Sequence, residues 1–275
     1  MSIAEPMEEH PGLMTGKTVG LLMRREPGQS VMEEVLALQS GQPARGRLQR
    51  LFGASPLGAS AWPWYQGALG ERAVGRRLAA LGPDWRALHA VPVGEKGSDI
   101  DHVVIGPTGV YTLNTKHHAG QAIWTAKGTF MVNGVRQPHV RNAEHEATRA
   151  AKLLAAAVCH QVTVDAAIVV VGARRLTVKE KHSSVTVLTS DQLLRWLTRR
   201  PVVLTADHVA ILAAAAAQPS TWRRTPPELH SPADVVARFS ALQHLVHQAR
   251  RRRIGWLLAM PAAALATVAG VLPPF

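Results

Sequence analysis

Residues 98–118 read SDIDHVVIGPTGVYTLNTKHH, two apolar runs, HVVI and VYTL, around the turn signal GPTG. Asp101 stands at one open end of this hairpin; Asn114, Thr115 and Lys116 stand at the other. A turn centred on Pro107 and Thr108 pairs Ile105 with Val110, and therefore Asp101 with Asn114. Directly opposed side chains have Cβ atoms about 5 Å apart. Alternation along a strand puts Asn114 and Lys116 on one face. This register gathers a carboxylate, an amide and an ammonium group on one patch. A one-residue bulge at Gly109 gives another register, in which Asp101 opposes Thr115 and points away from Asn114. Both registers are compatible with the sequence.

The convergent register has a chemical use. Mg2+ takes oxygen ligands at about 2.0–2.1 Å and keeps water or phosphate in its remaining positions. Asp101 would be the essential carboxylate, with the Asn114 side-chain oxygen and the Thr115 carbonyl as neutral donors. Lys116 would orient or help deprotonate an attacking water, or balance charge in a phosphoryl transition state. Glu71, from the preceding helix, can restore a second negative charge. The plainer account is a solvated ion pair at a hairpin end, with Glu71 on a wet helix face beside Arg76 and Arg77. His117 and His118 point to opposite faces of a strand, so they cannot both serve one site. Asn142 and Glu144 open a later helix and either line the cleft or cap and solvate it.

These residues need a scaffold. YQGALGERAVGRRLAAL (65–81) has apolar residues at helical spacing and is closed by Gly82-Pro83. WRALHAVPV predicts a strand, the hairpin two more, and QAIWTAKGTFMVNG a further pair around Lys127-Gly128. RNAEHEATRAAKLLAAAV predicts a long helix, and VDAAIVVVG a strand buried on both faces. VTVLT predicts another strand and SDQLLRWLTRR a helix. Helices interleaved with strands in this order describe an α/β domain over residues 65–200.

The flanks differ. Residues 1–60 lack sustained periodicity and predict a mostly disordered extension, with one short helix through VMEEVLALQ. GLMTGKT within them is not a phosphate loop, because Gly12 leaves three residues before GKT where four are needed. Residues 205–253 predict a helical extension interrupted by the Pro-rich linker PSTWRRTPPELHS. Residues 254–272 are 19 residues without a charge, close behind Arg250–Arg253. A bilayer core needs roughly 17–25 such residues, so the segment predicts one transmembrane anchor held at the cytoplasmic face by its arginines.

The formal net charge is +12 over 275 residues, which favours anionic partners: nucleic acid or an anionic membrane surface. The single cysteine, Cys159, makes no internal disulfide and suits a reducing compartment. The N-terminus lacks the pattern of a secretory leader. HExxH, paired CxxC and GxSxG are absent from the sequence, which removes support for zinc proteases, zinc ribbons and serine hydrolases.

In their order, GERAVGRRL, SDIDHVVIGPTGVYTLNTK, a Trp-containing strand and RNAEHEATRAAKLL resemble the nuclease-related domain, NERD, of the PD-(D/E)xK superfamily. The resemblance covers residues 67–197. It implies a restriction-endonuclease-like mixed sheet flanked by helices, Mg2+ or Mn2+ as cofactor, and nucleic acid, DNA before RNA, as partner. By that likeness Glu71 matches the acidic residue of the first helix, Asp101 the superfamily aspartate, and Asn114-Thr115-Lys116 the (D/E)xK tripeptide. Asn114 departs from the pattern, since an amide carries no net charge and binds Mg2+ more weakly than a carboxylate. Three expectations follow: a metal-dependent nuclease, a non-catalytic nucleic-acid-binding or scaffold module on the same fold, and a basic membrane-surface protein.

Overall fold

The computed structural model describes residues 22–94, 98–181, 184–224 and 230–271, with side chains described through residue 259. In chain order the helices are α1 (Gln29–Ser40), α2 (Arg47–Leu51), α3 (Ala61–Leu78), α4 (His139–Val158), α5 (Leu193–Thr198), α6 (Ala206–Ala216), α7 (Pro219–Trp222) and α8 (Pro232–Val271). The strands are β1 (Arg86–Val93), β2 (Ser98–Gly106), β3 (Gly109–His117), β4 (Ala122–Ala126), β5 (Thr129–Val132), β6 (Val135–Gln137), β7 (Val164–Val171), β8 (Arg175–Val178) and β9 (Val185–Thr189). They form two compact units, Met1–Gln29 with Gly67–His230 and Ser30–Gln66 with Ser231–Phe275.

The first unit is the expected α/β layering. Its main sheet has the order β1-β2-β3-β7-β9. β1, β2 and β3 are antiparallel neighbours, whereas β3, β7 and β9 run parallel. A smaller mixed sheet has the order β6-β5-β4-β8. β7 carries five consecutive buried residues, Ala166 to Val170, as its unbroken apolar run requires of a strand covered on both faces.

Side-chain alternation assigns the two covers. Val103, Ile105 and Val110 pack with Ala150 and Leu154 of α4. Val104, Tyr111 and Leu113 pack with Val74 and Leu78 of α3 and with Leu193 and Leu197 of α5. α4 therefore lies over the even-numbered residues of β3, and α3 over the odd-numbered ones. α4 buries Val140, Ala143, Ala147, Ala150 and Leu154, a stripe at helical spacing.

The flanking expectations need revision. Val209, Leu212, Ala216 and Trp222 of α6 and α7 join the core of the first unit, so the helical extension drawn over 205–253 is split between the units. The described part of residues 1–60 holds α1, which contains the short helix expected through VMEEVLALQ, and α2, where disorder was expected; residues 1–21 lie outside the described residues. α2 is too short to show a period, and in α1 Met32 and Val35 are fully buried. The long helix of the second unit, α8, buries Val235, Phe239, Leu242, Val246 and Ala249, a spacing of alternating fours and threes that makes one continuous apolar seam.

The transmembrane segment expected at 254–272 finds no support. Among the described residues no helix is long and apolar enough to cross a membrane. Most of that segment, from residue 260 onward, has its side chains outside the described residues.

α3 approaches β3 through Gly70, where an added Cβ would stand 2.9 Å from His117 Cβ and 3.3 Å from Thr115 Cγ2. Gly70→Val is therefore expected to push α3 from the sheet and cost about 1–3 kcal/mol, the usual range for overpacking. Urea denaturation checks this; an unchanged midpoint would show that the approach is looser.

Candidate active site

β2 and β3 pair from Gly106↔Gly109 to His102↔Leu113 and then part. Beyond that point β2 stays with β1 as far as Val93↔Ser98, and β3 stays with β7 as far as His117↔Val171. The pairing of Ile105 with Val110 is the symmetric register, so the bulged alternative is excluded. At the crotch of the fork Asp101 Oδ2 accepts the backbone N–H of Thr115 at 2.6 Å. On the other side of β2, Ala90 lies between the pairs His89↔His102 and Val91↔Ile100 and adopts φ +47°. A left-handed conformation costs an L-residue roughly 1–2 kcal/mol, and here that strain lies directly across from Asp101.

Three elements deliver side chains to the fork. Asn114 of β3 lies on the α4 side, and its Nδ2 donates to Glu146 Oε1 at 2.7 Å. A carboxylate only accepts, so this bond sets the amide orientation. Glu146 belongs to α4, one turn from the buried residues Ala143 and Ala150. α3 brings Glu71, which is 6% exposed; Arg77, a suggested partner on that helix, pairs with Asp191 instead. Lys116 is half-buried at the end of β3.

The electrostatics are those of crowded acids. Burial pushes the Glu71 carboxyl well above its ordinary value, and Asp101 and Asp99 push it further, while Lys116 opposes. Burial lifts Asp101 to about 7; Lys116 and the Thr115 N–H pull it down, and Asp99 and Glu146 pull it up. Glu146 is likewise raised, first by burial, with the Asn114 hydrogen bond and Lys116 opposing. Such grouping disfavours ionisation unless a proton or a cation compensates.

Glu71 Oε2, Asn114 Oδ1 and Glu146 Oε2 are buried without a hydrogen-bond partner. These are hard oxygen donors, which fit a small divalent cation such as Mg2+ or Mn2+. Among the described residues no group of three or more His, Cys, Asp or Glu side chains is arranged to hold a metal ion. The donor set at the fork is thus a mixture of carboxylates and an amide, not a closed carboxylate triad.

Five of the residues singled out in the sequence lie at this fork: Glu71, Asp101, Asn114, Thr115 and Lys116. Asn142 is exposed and Glu144 accepts from Ser184 Oγ, away from the cleft. His117 packs beside Gly70 and Gly172, and His118 Nδ1 lies 2.9 Å from Gln121 Oε1. Glu146 was missed. Its signal was an acid on the apolar face of the α4 pattern, within i, i+3 and i, i+4 reach of Ala143 and Ala150.

Residues 66–171 match the family model of the nuclease-related domain. An uncharacterized protein of Bacillus anthracis is 35% identical over 77 residues, covering 26% of this chain and 36% of that relative. The chain thus spans about a third of the length of the curated relative it matches. No solved structure matches this chain.

The raised Asp101 value has a testable sign. The unfolded carboxyl ionises near 3.9 and the folded one at about 7. The ionised side chain therefore lowers stability above about 7 and has no such effect well below 4. Asp101→Asn is expected to raise the melting temperature at pH 8 in chelator, with the gain shrinking as pH falls toward 4. A gain of equal size at both ends would show that the carboxyl is not held in its protonated form.

Proposed function

With residues 66–171 as a nuclease-related domain, we propose that the β2–β3 fork is the active site of a divalent-cation-dependent nuclease. Its substrate would be a nucleic-acid phosphodiester, DNA before RNA by the superfamily likeness. The observation that carries this reading is the set of buried, unpartnered oxygens of Glu71, Asn114 and Glu146 among mutually repelling acids around Lys116. Ordinary folding stability does not require such a set, whereas cation binding uses it.

Asp101 and Glu71 are the anionic ligands in this reading. The Asn114 Oδ1 and the Thr115 carbonyl add neutral oxygens. Glu146 supplies the charge that an acid at position 114 would have given, and its bond to Nδ2 leaves the Asn114 oxygen free. A bound Mg2+ or Mn2+ lowers the pKa of its water and neutralises phosphate charge. Lys116 donates a hydrogen bond to the attacking water or to a non-bridging oxygen, stabilising charge as it develops. The net charge of +12 favours a polyanionic substrate.

A second reading, a non-catalytic nucleic-acid-binding module, is favoured by Asn114 and by the lack, among the described residues, of a closed carboxylate triad. Incubating the full chain with plasmid and single-stranded DNA in Mg2+, Mn2+ or chelator separates the two. Cleavage is expected with metal only, reduced about 10²–10³-fold in Asp101→Ala and Lys116→Ala, the scale of losing one electrostatic contact to the transition state. Equal cleavage by wild type and Asp101→Ala would identify a contaminant. DNA binding in chelator that survives Asp101→Ala, without cleavage in any metal, would establish the second reading.

The role given to Glu146 has its own check. Glu146→Gln is expected to weaken Mn2+ binding, read by paramagnetic resonance, about 10–100-fold, the range for a support of the ligand shell. Asn114→Asp in that background is expected to recover most of the loss. No change on either substitution would remove Glu146 from the site.

A further inference from the structure

The second unit carries a surface that the nuclease reading does not use. α2 is fastened along α8: Trp256 Nε1 donates to the Leu51 carbonyl at 2.9 Å, and Arg252 Nη1 donates to the Arg50 carbonyl at 3.0 Å. The rings of Phe52 and Trp256 lie 5.3 Å apart. Gly53, at φ +72°, passes so close to α8 that a Cβ would stand 2.3 Å from the Ala249 carbonyl oxygen. The outward side chains of the two helices consequently form one continuous face.

That face is both apolar and cationic. Leu48, Leu51, Leu257 and Leu258 are 69%, 51%, 64% and 70% exposed. Arg47, Arg50 and Arg252 line a cavity of about 670 Å³ with Leu51 and Trp256. The Arg45 guanidinium is lowered by burial and then by Arg50 and Arg252, so the cations already crowd one another. Neither residues 44–60 nor residues 235–260 contain an acid that could neutralise them.

We infer that this face of α2 and α8 docks on an anionic phospholipid bilayer, lying in the headgroup region. Four exposed leucines make this face mainly aliphatic, and its two rings, Phe52 and Trp256, pack on each other. A nucleic-acid backbone offers no apolar surface to leucines, and its bases call for free aromatic faces. A bilayer interface accepts both: phosphate for the guanidiniums and acyl boundary for the leucines. Trp256 has the amphipathic ring that prefers this depth. The charge-free stretch from Ile254 onward begins on this same face. The docking needs α2, which distinguishes it from simple insertion of the C-terminal segment, and it is independent of the nuclease reading.

The test is co-sedimentation of the full chain with vesicles of phosphatidylcholine alone or mixed with phosphatidylglycerol, at low and high salt. Binding is expected to the mixed vesicles only and to weaken with salt. Arg47→Glu with Arg50→Glu, both exposed, is expected to lower it about 25-fold or more, since each interfacial arginine contributes roughly fivefold. Leu48→Asp with Leu51→Asp is expected to do the same while leaving residues 254–272 unchanged. Wild-type affinity in the leucine variant, or equal binding to phosphatidylcholine alone, would overturn the inference. So would an arginine variant that loses retention on DNA but keeps its hold on vesicles, because the face would then belong to nucleic acid.

Discussion

Two strands that pair as far as His102↔Leu113 and then separate must satisfy their freed backbone groups in some other way. Asp101 does so with its side chain, accepting the Thr115 N–H that lies beyond the last β2–β3 pair. The bond therefore fixes a carboxylate at the crotch and holds the fork in shape. What enters the fork follows from the layering. α4 covers the even face of β3 and presents Glu146 to Asn114. α3 comes close at Gly70 on the odd face and carries Glu71 to the same place. The strain at Ala90 lies opposite the same carboxylate, as expected where a sheet is bent to aim a side chain and not to maximise its ladder.

Crowding acids in this way runs against stability. Each unit of pKa displacement corresponds to about 1.36 kcal/mol between the two protonation states, and Asp101, Glu71 and Glu146 are all displaced upward, in each case first by burial. A fold under selection for stability alone would place apolar groups here, as it does further along β2 and β3, where Val103, Val104, Ile105 and Leu113 are fully buried. The contrast within a single hairpin separates a structural end from a chemical end. Asn114 softens the conflict, because an amide between carboxylates adds a donor and no charge.

Much of this was legible before any coordinates. The turn signal and the period of two narrowed the hairpin to two registers, and the unbroken run of Ile and Val marked β7 as buried. The convergence of Asp101, Asn114 and Lys116 belonged to one of these registers, and the pairing of Ile105 with Val110 selects it. Glu71 was less so, since helical spacing shows that a residue lies near an apolar face but not whether a strand end opens to receive it. Glu146 went unnoticed because α4 was read for its capping end, at Asn142 and Glu144, and not for the one acid inside its stripe. β6 and β8, short edge strands of the smaller sheet, carry too few residues to show alternation. α2 was lost for the same reason, since its five residues show no period, whereas α1 contains the short helix expected through VMEEVLALQ.

The local charge at the fork bears on the order of binding. The chain is strongly basic overall, yet Glu71, Asp101 and Glu146 are each raised by burial and by neighbouring acids here, and Lys116 opposes the shift of all three. Were these acids all ionised, their mutual repulsion would oppose an incoming phosphodiester in the proposed reaction. Two events can remove that repulsion: protonation, which the raised values favour, or capture of a divalent cation. Protons cancel the repulsion but also occupy the oxygens that would serve as ligands, so they leave a site that tolerates phosphate without activating water. A cation cancels it and keeps the oxygens engaged. In the proposed nuclease the cation would relieve the field that repels phosphate, so cation and nucleic acid would strengthen each other's binding by the same factor, as linkage requires.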